Sequence, residues 1–325
     1  MTSLRLKTLL AGVCGVVLTA SVAHAQTVGF AASNPGSLYH SSASAISKMA
    51  NDKAGIRITV QPFASATVYL PAIDAGEFEF GLSNVEELRV AVIGKNQFEG
   101  RKYEDLRAVA ITYPLRVGFF VKKDSPIKTI ADLKGKRVVD GYASQGTIPP
   151  LLDAQYSTAG MTRADIIPVP VTNVVGGANA FIQGKADAFF FAIGAAKVRE
   201  ADAAVGGIRM LDIADTPENR AAIAKHFPPA YLRTVKPAKP NVGVVEPVNV
   251  VTYDAVVVAS TKTSEDLVYN MAKAMHDNKK DMAAIFPVFN LFNPKRMASD
   301  LGPIQWHPGT IKFLTEQGMW PPKAN

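Results

Sequence analysis

The chain has 325 residues, 48% hydrophobic and 19% charged, so it can bury substantial cores and has room for two ordinary domains. Its formal charge of +7 comes from dispersed Lys and Arg without an aromatic-interleaved basic cluster, which argues against a nucleic-acid partner. Beyond residue 25 no apolar run reaches the roughly 20 residues that a membrane-spanning helix needs.

Residues 1–25 read as a signal peptide: Arg5 and Lys7 precede an apolar core from Leu9 to Ala20, and Ala23-His24-Ala25 fits the small-x-small cleavage pattern. Cleavage there removes Cys14, the only cysteine, and leaves an exported protein starting at Gln26. Disulfides, thiol catalysis and cysteine–zinc sites are then excluded.

The mature chain opens with a short apolar strand, Val28 to Ala32, broken by the turn formers Ser33-Asn34-Pro35-Gly36. A helical stripe through Leu38, Ala45, Ile46 and Met49 follows Ser37 and ends at Gly55. Arg57 to Gln61 reads as a strand, and the loop from Pro62 to Thr67 leads into a helix closed by Gly76, with Pro71 awkward in its interior. Phe78 to Leu82 is the next strand, followed by Ser83-Asn84 and a helix on which Glu86 and Glu87 are expected on a solvated face. Strands alternating with helices predict an α/β protein with a parallel sheet, whose ligands bind beyond the carboxyl ends of the strands.

The apolar run Leu106 to Val121, interrupted by Thr112-Tyr113-Pro114 and by Arg116, suits two strands in sequence. Strand Val138-Val139 then leads to a glycine-bounded loop, Gly141 to Thr147, and a helix ending at Gly160. Ala75-Gly76-Glu77-Phe78-Glu79-Phe80-Gly81-Leu82 is paralleled by Gln183-Gly184-Lys185-Ala186-Asp187-Ala188-Phe189-Phe190, each reading as helix, capping glycine and strand. Two similar lobes with facing loops follow from that repetition. The proline-rich segment Phe227 to Pro247 is expected to be irregular; Val250 to Ala259 reads as a strand, Ser264 to Asp277 as a helix, and the tail as a short helix from about Thr310.

These landmarks together resemble the TAXI family of TRAP-transporter solute-binding proteins. The matching residues are Gly36-Ser37-Leu38-Tyr39 at the first helix start, Gln61-Pro62 before Ser65-Ala66-Thr67, and Asp132-Leu133-Lys134-Gly135-Lys136-Arg137-Val138 before the Gly141–Thr147 loop. The most specific is His307-Pro308-Gly309-Thr310-Ile311-Lys312-Phe313-Leu314-Thr315-Glu316. The first two loops carry less glycine than is usual in that family, with Ala64 and Ala66 in the second, so the solute cannot be carried over.

The resemblance implies a type II periplasmic-binding-protein-like fold, with residues 26–114 and 256–325 in one lobe and 115–255 in the other. Hinge crossings are expected near 115–121 and 248–255. It implies a monomeric periplasmic receptor that takes a small carboxylate-bearing solute, such as a dicarboxylate or amino acid, and hands it to an ion-gradient-driven membrane permease. A receptor for a sensor kinase and an enzyme on the same two-lobe fold remain the alternatives.

The ligand cage is expected from five loops at strand ends, whose helix starts present backbone N–H groups. In the first lobe it takes Ser33, Asn34, Gly36, Ser37 and Tyr39, then Ser65 and Thr67, then Ser83 and Asn84. In the second it takes Ser144, Gln145, Gly146 and Thr147, with Gly194. Arg116 sits in an apolar hinge strand, where it binds the solute carboxylate bidentately, or else faces solvent or pairs with Asp254 or a glutamate. No catalytic residue, metal or cofactor is expected: His40, His226, His276 and His307 lack metal-ligand spacing, and no Gly-x-Ser-x-Gly elbow occurs. His307 reads as a structural hydrogen-bonding residue.

Overall fold

The computed structural model describes residues 28–322; the expected signal peptide lies outside the described residues. The first third of the chain alternates as foreseen: β1 (Val28–Ser33), α1 (Leu38–Ala54), β2 (Ile58–Phe63), α2 (Ala66–Ala75), β3 (Phe80–Asn84) and α3 (Val85–Ile93). A single long strand follows, β4 (Leu106–Lys122). The middle section comprises β5 (Arg137–Asp140), α4 (Ile148–Ser157), β6 (Ile167–Pro170), α5 (Val174–Ile182), β7 (Ala188–Ala192), α6 (Ala196–Val205), β8 (Ile208–Met210) and α7 (Pro217–His226). The chain returns through β9 (Tyr231–Val235) and β10 (Val248–Ser260), then closes with α8 (Glu265–Asp277), α9 (Lys279–Ile285) and α10 (Pro308–Glu316).

The strands form one sheet in the order β2-β1-β3-β10-β4-β7-β5-β6, with β8 on β4 and β9 on β10. The parallel sets β1–β2–β3 and β5–β6–β7 make two wings, and the antiparallel pair β4 and β10 runs between them. Each long strand changes neighbours along its length. Val117–Val121 of β4 pairs with β7, while β10 pairs with β9 through Val248–Thr252 and with β3 through Ala255–Val258. The internal repetition is thus real in the topology. Gly76 and Gly184, both at positive φ, each turn the chain from a helix towards the strand that flanks a long central strand, β3 on β10 and β7 on β4.

Two expectations are corrected. Leu106 to Val121 is one strand, not two, because the irregularity at Pro114 is absorbed in the pairing. Pro114 faces Asp254, and the register slips between Asp254 and Val256 and again between Val257 and Val258. The proline-rich segment is not wholly irregular either, since Tyr231–Val235 pairs with β10 as β9. Phe119, Phe120, Phe189 and Phe190 pack as adjoining rings in the core of the second wing, and Phe30 and Phe80 do so in the first. The C-terminal helices pack against α1 and β4, where Thr310 Oγ1 donates to the Val109 carbonyl and Trp306 bridges Ala108.

Candidate functional site

Helix starts from both wings converge on one cleft. On the first wing Ser37 caps α1, its hydroxyl accepting the His40 N–H at 3.1 Å, and Asn84 caps α3 by accepting the Glu87 N–H at 2.9 Å. On the second wing Asn173 caps α5 by accepting the Gly176 N–H at 3.0 Å, and Gln145 Oε1 takes the Val174 N–H at 3.0 Å. The β1–α1 loop contributes Ser33, Asn34, Ser37 and Tyr39 to the wall, and the β2–α2 loop contributes Ala64 and Ala66. Asn84 and Glu87 complete that side, with Gln145, Thr147 and Asn173 opposite. Leu115, Val117 and Tyr253 line it from the two long strands, and Phe190 and Phe191 make an apolar wall. The cleft, its open mouth included, holds about 640 Å³ of space not occupied by protein atoms.

Among the described residues, one acid and no base line this cleft. The acid is Glu87, only 3% exposed, in contrast to the solvated position expected for Glu86 and Glu87. Both are buried because α3 begins at the cleft rather than on the outer surface. Glu86 is held by a two-pronged pair with Arg89, at 2.7 Å for each bond. Glu87 Oε1 accepts from Thr67 Oγ1 at 2.6 Å, and Oε2 accepts from Asn84 Nδ2 at 3.3 Å. Burial nonetheless pushes its carboxyl up from the usual 4.5, outweighing the opposing hydrogen bonds from Thr67, Thr147 and Asn84. Burial also raises the Tyr39 and Tyr253 hydroxyls, so both phenols stay protonated.

Seven of the expected residues, Ser33, Asn34, Ser37, Tyr39, Asn84, Gln145 and Thr147, line the cleft. Five others join the wings to each other. Ser65 Oγ donates to the Ser144 carbonyl, and Thr67 Oγ1 accepts the Gly146 N–H at 3.2 Å. Lys197 N–H donates to the Gly36 carbonyl at 3.0 Å. Gly146 needs its missing side chain, because a Cβ there would lie 2.6 Å from Gln97 Cβ. Ser83 is buried in β3 outside the cleft, its hydroxyl without a hydrogen-bond partner in the structure. Arg116 and Gly194 belong elsewhere: both line a different pocket, because alternation along β4 sends Arg116 away from the face that carries Leu115 and Val117.

The sequence reading missed Glu87, Asn173, Tyr253 and the Phe190–Phe191 wall. Glu87 had a readable signal in Asn84-Val85-Glu86-Glu87, which has the spacing of a capping residue with an acid three positions on. Asn173 similarly stands directly before a run of helical small and apolar residues. Tyr253 and the two phenylalanines carried no such mark, since strand pairing decides which face they meet.

A model described as the NMT1-like family matches residues 30–318. The chain belongs to the NMT1-like family. Solved structures similar to this NMT1-like protein include one titled as a periplasmic transporter, with a TM-score of 0.57 and 16% identity over 90% of this chain and 94% of the other. MatC from Rhodopseudomonas palustris with bound malate has a TM-score of 0.57 and 15% identity, over 90% and 95% of the two chains. A protein from Bordetella bronchiseptica RB50 follows at 0.52 and 14%, over 90% and 98%. At these identities the likeness is one of fold, and the architecture is type II periplasmic-binding-protein-like.

Proposed function

We propose that this NMT1-like protein is a periplasmic solute receptor that binds a small carboxylate-bearing molecule between its wings. The observation that carries the reading is the convergence of capped helix starts from both wings on a cleft with no Lys or Arg in its wall among the described residues. Such a cleft meets a carboxylate with N–H and amide dipoles rather than a full positive charge. Asn34, Asn84 and Asn173 supply side-chain amides, and Leu115, Val117, Phe190 and Phe191 receive the carbon skeleton. MatC, of the same fold, is described with bound malate, which is in keeping with a small organic acid.

In this reading the lobes are residues 26–114 with 256–325, and residues 115–255. The hinges lie where β4 and β10 exchange neighbours. Solute contacts made to both lobes favour the closed arrangement over an open one. The leader at residues 1–25 sends the chain to the periplasm, and the landmarks shared with TAXI proteins make a TRAP-type permease the recipient of the solute. Native mass spectrometry of the purified protein tests the receptor: a small molecule should co-purify and leave intact on unfolding. Turnover of that molecule, or no binding of any organic acid by calorimetry, would sink the reading.

A further inference from the structure

Behind β4 lies a second pocket that the solute cleft does not use. Arg116 projects into it together with Arg199 of α6, Asn241 from the loop before β10, and Asn290 from the turn after α9. Phe286, Val288 and Leu291 give it an apolar side, and among the described residues no acid lines it. Arg199 Nη1 donates to the Gly194 carbonyl at 3.3 Å, which anchors that guanidinium at the rim.

Arg116 is the unusual member. It is partly buried, and among the described residues its guanidinium has neither an ion pair nor a hydrogen bond. Asp254, the acid proposed as its partner on sequence grounds, instead faces Arg233 and Arg296. Burial and the repulsion of Arg233 pull the Arg116 guanidinium down to about 10, so it remains a cation at neutral pH. A half-buried cation without a counter-charge is costly, and an anion arriving beside it offsets that cost.

We propose that this pocket is a second binding site, for a small molecule bearing a carboxylate or phosphate group. Arg116 and Arg199 meet the oxyanion from two sides, a geometry that planar guanidinium groups serve better than ammonium groups. The amides of Asn241 and Asn290 flank it, and the Phe286–Leu291 wall accepts a short apolar body. This site is independent of the solute cleft, which opens on the other face of β4.

Inorganic phosphate serves as the probe, titrated by calorimetry and by thermal melting in a buffer free of other oxyanions. Phosphate should bind and stabilise the wild type. Arg116→Met and Arg199→Met should each weaken that binding tenfold or more, with Arg116→Lys retaining part of it. In probe-free buffer Arg116→Met should melt no lower than wild type, because it deletes an unpaired cation. The cleft variant Asn173→Ala should bind the probe as wild type does. The proposal is overturned if phosphate does not bind, or if its binding survives both methionine variants. Loss of binding in Asn173→Ala but not in Arg199→Met would also overturn it, since the probe would then sit in the cleft.

Discussion

Thr67 donates its hydroxyl hydrogen to Glu87 at 2.6 Å, and the same oxygen accepts the Gly146 N–H of the opposite wing at 3.2 Å. One small side chain therefore ties the buried acid of the cleft to the contact between the wings. Thr67→Val keeps the shape but removes both bonds. It leaves Glu87 short of a donor and Gly146 short of an acceptor, at a cost of about 1–3 kcal/mol. Urea unfolding should show that loss, and Thr67→Ser should recover most of it.

Glu87 gives a pH dependence with a definite sign. Its folded-state pKa lies above the usual 4.5, so between the two values the folded protein holds more protons than the unfolded chain. Stability from this group is complete below 4.5 and declines as pH rises through the folded pKa. Glu87→Gln lacks that decline. Its stability relative to wild type should therefore increase as pH is raised from 4.5, measured by urea unfolding of both proteins across the range. A difference that stays flat with pH would mean that Glu87 is not held above its ordinary value.

The parts of this molecule that were legible from sequence are those written in local chemistry. Ser33-Asn34-Pro35-Gly36 and Gly141 to Thr147 announce turns before helices, and these loops do border the cleft. What escaped depends on partners distant in the chain. Leu115, Arg116 and Val117 alternate visibly, but only the pairing of β4 with β7 and β10 decides which face meets the cleft. Glu87 was misread because two adjacent acids on a helix usually meet water; here the first turn of α3 is enclosed by Thr67 and Thr147. In β9 the strand pattern of Tyr231–Val235 is only five residues long and sits among prolines, so its partner β10 was needed to reveal it.

The His307-Pro308-Gly309 segment is explained by its packing. His307 caps α10: Nδ1 accepts the Gly309 N–H at 3.2 Å, and Nε2–H donates to the Thr263 carbonyl at 3.1 Å. Pro308 occupies the first helical position, where no N–H is needed. A Cβ on Gly309 would stand 2.3 Å from the Glu265 carbonyl oxygen, so α10 can approach α8 only with glycine there. Gly309→Ala should destabilise by about 1–3 kcal/mol. Burial holds His307 below the usual 6.5, so its contribution is complete above 6.5 and is lost as pH falls through the folded value. Thermal melts of His307→Asn, which retains a capping side chain, should fall less steeply than wild type as pH drops below 6.5.

Asn84 combines two roles that substitution can separate. Its Oδ1 caps α3 by accepting the Glu87 N–H at 2.9 Å, while its amide nitrogen faces Tyr39 Oη at 3.4 Å and Glu87 Oε2 at 3.3 Å in the cleft wall. Asn84→Ser preserves a capping oxygen, so stability should change by only a few tenths of a kcal/mol from the cap itself. It removes the amide donor, and calorimetry with the co-purified solute should show affinity lower by about tenfold, the equivalent of one hydrogen bond. Asn84→Ala should show the same loss of affinity together with about 1 kcal/mol of lost stability. Should Asn84→Ser bind the solute as tightly as wild type, the residue is a helix cap that merely borders the cleft. Should both variants lose affinity while only Asn84→Ala loses stability, the amide belongs to the solute contact and the hydroxyl-replaceable oxygen to the fold.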